Sequence, residues 1–360
     1  PLLVDSAYSE PYKSMVSERL ANYYGMIAKV DEDLGVFIQE LDNLDLADNT
    51  ILIFMTDNGP CPWFGGIIID ENGFVDEGYS CDMRGGKIWG YENAHRVPCY
   101  IRWPEGDIGG GRDISKLTAH IDLLPSLIDW CGLETPNQGD FDGVSLKSLI
   151  GGNEDIWPDR TLFVHNQRVD FTVKYKEYQV LTEQWRLLNR DTLELYDILD
   201  DPGQTKDLVA DHPDVVQALA AQYEDWWDHI STNFDQFNAI ILGNEKQNPT
   251  MLYSHDAHRP KGEPAYWVVD VEEDGEYLIQ PFLRPRETGR TLAGSGIRKG
   301  YLMIGDQKLE KDLGEKDETL SFKVKLFSGQ AKVSAWFERD GKNLRSYSLE
   351  VEKVKQNITL

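Results

Sequence analysis

The sequence predicts an α/β domain followed by an all-β sandwich, and three observations carry that expectation. The apolar run Thr50-Ile-Leu-Ile-Phe-Met55 breaks off at Asp57-Asn58-Gly59. A rhythm of apolar residues three and four apart runs over 16–41, just before it. Beyond about residue 240 the rhythm changes to short strands punctuated by turns. A run that is apolar at consecutive positions suits a strand covered on both faces, as in a parallel sheet flanked by helices. The polar pair then lies just past the strand's carboxyl end, where open α/β sheets hold their ligands.

Each element follows in order. Leu20, Tyr23, Tyr24, Ile27, Val30, Leu34, Phe37, Ile38 and Leu41 give a helix over 16–41 one apolar face. Gly25 and Gly35 lower its propensity and suggest close packing. Helix and then buried strand, 50–55, is half of a parallel crossover unit. Residues 60–96 form a long Gly-rich loop, and such loops inside compact domains are usually functional or disordered. A second strand is expected over 97–103, then a helix over 117–131, with Pro125 marking a kink or its first turn and Gly132 its end. Short strands at 161–164, 173–180 and 185–189 suggest a small antiparallel sheet. Asp200-Asp-Pro-Gly203 is a turn. A helix over 213–230 follows, whose Trp226–Trp227 pair reads as core or as a sugar-stacking surface. Strands at 266–271, 277–282, 299–304, 319–327, 332–338 and 346–354 complete a β-sandwich. The expected divisions are 1–155 (α/β), 156–235 (small sheet plus helix) and 246–360 (β-sandwich).

The charge is unevenly spread. The net charge is −26; residues 1–245 hold 17 Lys+Arg against 44 Asp+Glu, and the remainder 19 against 18. The asymmetry suggests two separately composed units. It argues against a nucleic-acid partner, which needs a basic surface. An anionic substrate would need a local cationic pocket. No apolar run approaches the length of a membrane span. The first residues, Pro-Leu-Leu-Val-Asp-Ser, have no signal-peptide pattern. The four cysteines, Cys61, Cys81, Cys99 and Cys131, lack zinc-ligand spacing. Cys61 and Cys81 flank one loop and could pair under oxidising conditions. Cys99, in an apolar run, is expected as a buried free thiol.

Two motifs carry chemistry. Asp57 and Asn58 offer two hard oxygen ligands suited to Ca²⁺ or Mg²⁺, although the same tripeptide also makes an ordinary Asx turn. The second motif is Met83-Arg84-Gly-Gly-Lys87-Ile-Trp-Gly-Tyr-Glu92-Asn-Ala-His95-Arg96-Val-Pro98. A Lys in a Gly-rich loop can approach an oxyanion as a compact charge; the alternative is a solvated basic cluster. In this order, and with Ile101-Arg-Trp-Pro104, His120-Ile-Asp-Leu-Leu-Pro-Ser126 and Leu195-Tyr-Asp-Ile-Leu-Asp-Asp-Pro-Gly203, the chain resembles the type I sulfatase family of the alkaline-phosphatase-like superfamily. The resemblance covers about residues 1–230. The stretch from Gly275 to Pro285 resembles a β-rich module that accompanies some bacterial sulfatases.

The resemblance implies a partial alkaline-phosphatase-like sandwich with a small antiparallel subdomain, and hydrolysis of sulfate esters of a carbohydrate or aryl group. It implies that Asp57 and Asn58 ligate Ca²⁺ (Mg²⁺ is the alternative) and that Lys87 contacts the sulfate. Arg84 and Glu92 would shape the loop, and His95 would neighbour the site. Glu92-Asn93-Ala94 stands where the family often has Glu-Gly-Gly. In Phe163-Val-His165-Asn-Gln167-Arg168, His165 is a further candidate catalytic residue, and Gln167 and Arg168 candidate substrate contacts; a structural histidine and a surface ion pair are the other readings. The family's nucleophile is a formylglycine made within Cys/Ser-x-Pro/Ala-x-Arg, and none of the four cysteines stands in such a motif. Ser9-Glu-Pro11-Tyr-Lys13 comes nearest and lacks the Arg. The family's first Asp-Asp metal pair is missing too. The expectation is therefore the carboxyl-terminal portion of a sulfatase, inactive alone, from a periplasmic or secreted bacterial protein. The alternatives are a phosphodiesterase or phosphonate hydrolase of the same superfamily, and a non-catalytic sulfated-glycan-binding protein.

Overall fold

The computed structural model describes residues 2–61, 69–106, 108–135, 141–167, 169, 172–234, 238–259 and 264–354. Two units divide the chain: Pro1–Gln167 with Val173–His229, and Ile230–Leu360 with the short stretch 168–172.

In the first unit, helix α1 spans Glu18–Asn43, with Ser17 as its N-cap. The Ser17 hydroxyl accepts from the Leu20 N–H at 3.4 Å, satisfying one of the donors a helix start leaves open. A Cβ on Gly25 would lie 2.9 Å from the Ser9 nitrogen, so glycine lets the helical turn Ser6–Ser9 lie against α1. Gly35 faces open space, so the close packing expected there is absent. The apolar face of α1 is only partly covered: Leu20 and Ala21 are buried, whereas Ile27, Val30, Val36 and Phe37 are exposed.

Strand β1 (Leu52–Met55) pairs with β2 (Cys99–Arg102), and the pairing is antiparallel, Leu52 opposite Arg102 and Met55 opposite Cys99. The expected parallel, doubly covered strand is therefore corrected. Among the described residues the two strands pair only with each other. A two-stranded ribbon has two open edges and no neighbour to complete its cover. Phe54, Met55, Tyr100 and Cys99 are exposed as a result, so Cys99 is not the buried thiol expected. All four cysteines are free, Cys61 and Cys81 included.

Helix α2 is one turn, Glu92–His95. Helix α3 (Leu123–Cys131) follows a 3-10 turn at His120–Asp122 and ends at Gly132, whose φ of +60° is the left-handed conformation glycine adopts freely. Pro125 sits in the first turn, where a missing N–H costs nothing. Asp122 organises this region. Its carboxylate accepts from the N–H groups of Ala119 and Val144 at 2.8 and 2.9 Å, and from the Arg160 guanidinium at 2.8 and 2.7 Å.

Strands β3 (Leu162–His165), β4 (Tyr178–Leu181), β5 (Trp185–Asn189) and β6 (Leu193–Asp197) form an antiparallel sheet in that order. The expected strand at 173–180 starts late, because Tyr175 and Glu177 have positive φ and form a turn. Helix α4 (Pro213–Ile230) lays Leu219, Tyr223 and Trp227 on Tyr178, Val180, Leu187 and Leu195. Trp226 stacks on Phe163 at 4.8 Å between ring centres, so both tryptophans are packed against protein.

The second unit is a pair of sheets. Strands β7 (Ile240–Leu242), β8 (Thr250–Tyr253), β9 (Trp267–Val271), β10 (Gly275–Phe282), β11 (Lys299–Ile304), β12 (Gln307–Asp312), β13 (Phe322–Leu326), β14 (Gly329–Arg339), β15 (Lys342–Arg345) and β16 (Ser348–Lys353) supply them. One sheet runs β13-β10-β16-β8; the other runs β12-β11-β14-β9-β7, with β15 on β14. Inward residues of both, including Trp267, Tyr277, Ile279, Leu302 and Phe337, form one continuous core. Strands β7, β8, β12 and β15 are additions to the sequence reading.

Candidate active site

Asp57 and Asn58 follow β1 on an exposed turn. The turn is fixed from behind. Gly59 donates its N–H to the Ala94 carbonyl at 2.9 Å, and a Cβ on Gly59 would lie 1.7 Å from the Asn93 carbonyl oxygen. Only glycine fits between the turn and α2. The Lys87 N–H donates to the Pro60 carbonyl at 2.8 Å, which brings the Gly-rich loop alongside. The Lys87 ammonium then stands 3.3 Å from Asp57 Oδ2, and the Asn58 amide donates to the same oxygen at 2.9 Å. The Asn58 hydrogen bond first, and then Lys87, hold the Asp57 carboxyl below its ordinary range. Three sequence candidates thus meet at one carboxylate.

Behind them lies a buried ion pair. Glu92 is 1 % exposed, and its Oε1 accepts from Arg186 Nε of β5 at 2.7 Å. His95 Nε2 lies 3.2 Å from the same oxygen, and Arg96 lies 3.7 Å from Oε2. Burial acts to raise the Glu92 carboxyl, but the His95 hydrogen bond and the Arg186 charge outweigh it and hold the group at about 2. The Glu92 N–H donates to the Gln204 side chain at 2.7 Å, and Gln204 is fully buried. Arg84 lies over the Tyr91 ring at 4.3 Å and donates to the Tyr196 hydroxyl at 3.0 Å. Arg84 and Glu92 therefore anchor the loop to the β3–β6 sheet. His95 is half-buried on the Glu92 side of that anchor.

The strand-end candidates are arranged differently. His165 bonds Gln167 through Nδ1 at 2.9 Å and the Tyr223 hydroxyl through Nε2 at 3.0 Å, and it stacks against the Tyr223 ring. Burial lowers its pKa. Gln167 is occupied by His165 and by the Val173 and Lys176 carbonyls. Among the described residues neither side chain contacts Asp57 or Lys87. Arg168 lies outside the described residues. Sequence reasoning missed Asn166, whose amide donates to the Ile88 carbonyl, next to Lys87. Ile88 holds φ at +74°, a strained conformation for a β-branched residue. A β-branched residue between Lys and Gly-flanked Trp carries no sequence signal of that strain.

The donor chemistry suits a hard cation, because a carboxylate and a carboxamide oxygen are the ligand types Ca²⁺ and Mg²⁺ prefer. The pair is a partial set: Ca²⁺ takes about six to eight oxygens. Among the described residues no group of three or more His, Cys, Asp and Glu side chains is placed to hold a metal. Also among the described residues, no helix is long and apolar enough to cross a membrane.

Two family profiles match the chain: Sulfatase over residues 3–133, and N-sulphoglucosamine sulphohydrolase, C-terminal, over residues 85–228. An N-acetylglucosamine-6-O-sulfatase of Bacteroides thetaiotaomicron is 25% identical over 197 residues, 52% of this chain and 32% of the relative. An N-acetylgalactosamine-6-O-sulfatase of the same organism is 28% identical over 218 residues, 55% of this chain and 40% of the relative. The chain spans less than half the length of these curated relatives. The crystal structure of Ps i-CgsB in complex with k-i-k-neocarrahexaose superposes with a TM-score of 0.54 at 20% identity, over 63% of this chain and 47% of that one, which shows a shared fold. Profiles that run without a gap from residue 3 to residue 228, over the unit that holds Asp57, Lys87 and Glu92, make this chain a member of the type I sulfatase family, with its alkaline-phosphatase-like fold.

Proposed function

We propose that the chain supplies part of the site of a sulfate-ester hydrolase acting on a sulfated carbohydrate. One observation carries the reading: the Lys87 ammonium meets the Asp57 carboxylate on an exposed turn at the carboxyl end of β1. Asp57 and Asn58 would hold a divalent cation, which when bound withdraws electron density from sulfuryl oxygens. Lys87 places a compact positive charge where a sulfate oxygen would carry negative charge. His95 is held by Glu92 through Nε2, and its Nδ1 makes no hydrogen bond among the described residues, which makes it the candidate proton carrier. Glu92, Arg186 and Gln204 keep the loop in register with β1. The sugar assignment rests on the two relatives, both named for 6-O-sulfated amino sugars. A periplasmic or secreted setting follows from the same family reading.

The 360 residues contain no Cys/Ser-x-Pro/Ala-x-Arg motif, so they provide no formylglycine precursor and are expected not to turn over alone. That same gap favours one second reading, a non-catalytic sulfated-glycan-binding protein. The test is to offer the chain a 6-O-sulfated N-acetylhexosamine, an aryl sulfate and a phosphonate monoester, with and without Ca²⁺. We expect Ca²⁺-dependent binding of the sulfated sugar, weakened about tenfold by Lys87→Ala, and no hydrolysis. Robust turnover would overturn the missing nucleophile. A preference for the phosphonate would overturn the sulfate reading, and indifference to Lys87→Ala would overturn the site.

A further inference from the structure

The second unit contains a cavity of about 610 Å³ lined by four arginines, Arg284, Arg286, Arg290 and Arg339. Their convergence is built by the backbone. Leaving β10, the chain passes Arg284, makes a 3-10 turn at Arg286–Thr288, and reverses at Gly289, whose φ is +63°, so that Arg290 returns to the same side. The loop is then tied down. Leu292 donates its N–H to the Glu318 carbonyl at 2.8 Å, and Gly294 to the Glu315 carbonyl at 3.1 Å. Arg339, at the end of β14, reaches across from the other sheet and donates to the Ser295 carbonyl at 3.3 Å. Its stem lies against Gly296, where a Cβ would come within 3.3 Å of Arg339 Cδ.

The pairing of these guanidinium groups is unusual for this chain. Acidic residues outnumber basic ones 62 to 36. Yet among the described residues only Arg286 of these has a carboxylate partner, Glu350. Arg284 and Arg290 make no side-chain hydrogen bond or ion pair among the described residues, and Arg339 holds only a backbone carbonyl. Like charges gathered at one cavity repel each other, and an anion relieves that repulsion. A guanidinium offers a planar fork that matches the oxygens of a sulfate or carboxylate. Glu318, Phe282 and Thr319 also line the cavity: one acidic residue against four arginines leaves the positive excess, Phe282 adds an apolar face and Thr319 a hydroxyl, and the volume lies in the range of small-ligand sites.

We propose that this cavity binds an anionic saccharide, its sulfate or carboxylate groups held by Arg284, Arg290 and Arg339. The oxyanion chemistry rests on the arginines alone; the saccharide rests on the sulfatase reading. The β-sandwich unit would then hold the polymer chain whose esters the family acts on.

The experiment uses the intact 360-residue chain and isothermal calorimetry with three probes: a sulfated hexasaccharide, its desulfated counterpart and inorganic sulfate. The variants are Arg284→Gln/Arg290→Gln, both at exposed positions, and Lys87→Ala as the control at the other site. We expect the sulfated hexasaccharide to bind, the desulfated one not to, and the double variant to lose at least about tenfold in affinity at unchanged melting temperature. Lys87→Ala should leave that loss undiminished. Binding that is equal for the double variant, or lost only with Lys87→Ala, overturns the proposal. Inorganic sulfate competing as well as the hexasaccharide, mole for mole, overturns the saccharide and leaves a simple oxyanion site. Hydrolysis is read separately, so a chain that binds through the arginines but never cleaves separates the failure of the sulfatase reading from the failure of this one.

Discussion

Glu92 shows what decides the fate of this site at the scale of a single side chain. Its carboxylate is buried against Arg186, so Glu92→Ala would leave that guanidinium buried without its charge partner. A loss of about 3–5 kcal/mol is expected, against a smaller loss for Glu92→Gln, which keeps the shape and part of the hydrogen bonding. Thermal unfolding of the two variants checks the order. The same pair sets an acid limit. The folded carboxyl, held at about 2, lies below the ordinary value of 4.5 that it has in the unfolded chain. Its contribution is full above pH 4.5 and disappears as pH falls through about 2; the shift corresponds to roughly 3 kcal/mol. His165 loses stability in the same direction, although its protonation creates a charge rather than removing one: burial lowers its pKa, so the unfolded chain takes up the proton first and stability falls as pH drops below 6.5. A second prediction concerns Gly59. Gly59→Ala drives a methyl into the Asn93 carbonyl and should cost about 1–3 kcal/mol and weaken binding at Asp57, whereas Gly110→Ala meets only open space. Equal melting temperatures for the two would contradict the packed turn. Asp57, Asn58 and Lys87 were legible because they lie in short contiguous motifs. Gln204 and Asn166 were not: the Glu92–Gln204 bond joins residues 112 positions apart, and the Asn166–Ile88 bond residues 78 apart. Contacts of that span leave no local pattern.

At the scale of elements, periodicity located helices better than it located strand partners. The helix over 213–230 has the bounds expected, and α1 runs from Glu18 to Asn43 against 16–41, because apolar spacing and turn residues both mark helices. Strand direction is not written in an apolar run. Ile53 and Phe54 are equally compatible with parallel and antiparallel neighbours, and the structure pairs them with Ile101 and Tyr100 in antiparallel register. Nor does spacing say how much of an apolar face will be covered. On α1, Val30 and Phe37 are 52% and 50% exposed although they sit on the stripe that predicted the helix. An uncovered stripe of that kind, with the open edges of β1 and β2, is an association surface. The chain is expected to bind an apolar dye in its native state and to self-associate as its concentration rises. Val30→Ser/Phe37→Ser should reduce both, while changing stability by no more than about 0.5 kcal/mol per site, as is usual for exposed positions. Dye fluorescence and light scattering of the double variant check it; unchanged association would place the contact elsewhere.

For the molecule as a whole, the charge partition has a thermodynamic consequence. The first 245 residues hold 17 basic against 44 acidic side chains, and the rest 19 against 18. The structural division falls close by, after His229. The composition shift is legible in sequence because each unit has its own balance of charge, whereas the stretch 168–172, grouped with the second unit, is too short to announce itself. Excess like charge destabilises a compact state by self-repulsion, and salt screens it over a Debye length of about 10 Å at 0.1 M and about 3 Å at 1 M. Raising sodium chloride from low ionic strength to about 0.5 M should therefore stabilise the acidic unit and leave the β-rich one nearly unchanged. Hydrogen exchange resolves the two, through amides of β4 and β5 on one side and of β11 and β14 on the other. Protection of the first group should rise with salt, with that of the second flat. Calcium chloride should produce the same rise at much lower concentration if carboxylates on the acidic unit gather divalent ions. Within that response, Asp57→Ala should remove only the part that belongs to the Asp57–Asn58 turn. Parallel salt responses in both units would show that local ion pairs, such as Glu92–Arg186 and Asp122–Arg160, outweigh the summed charge of the acidic unit.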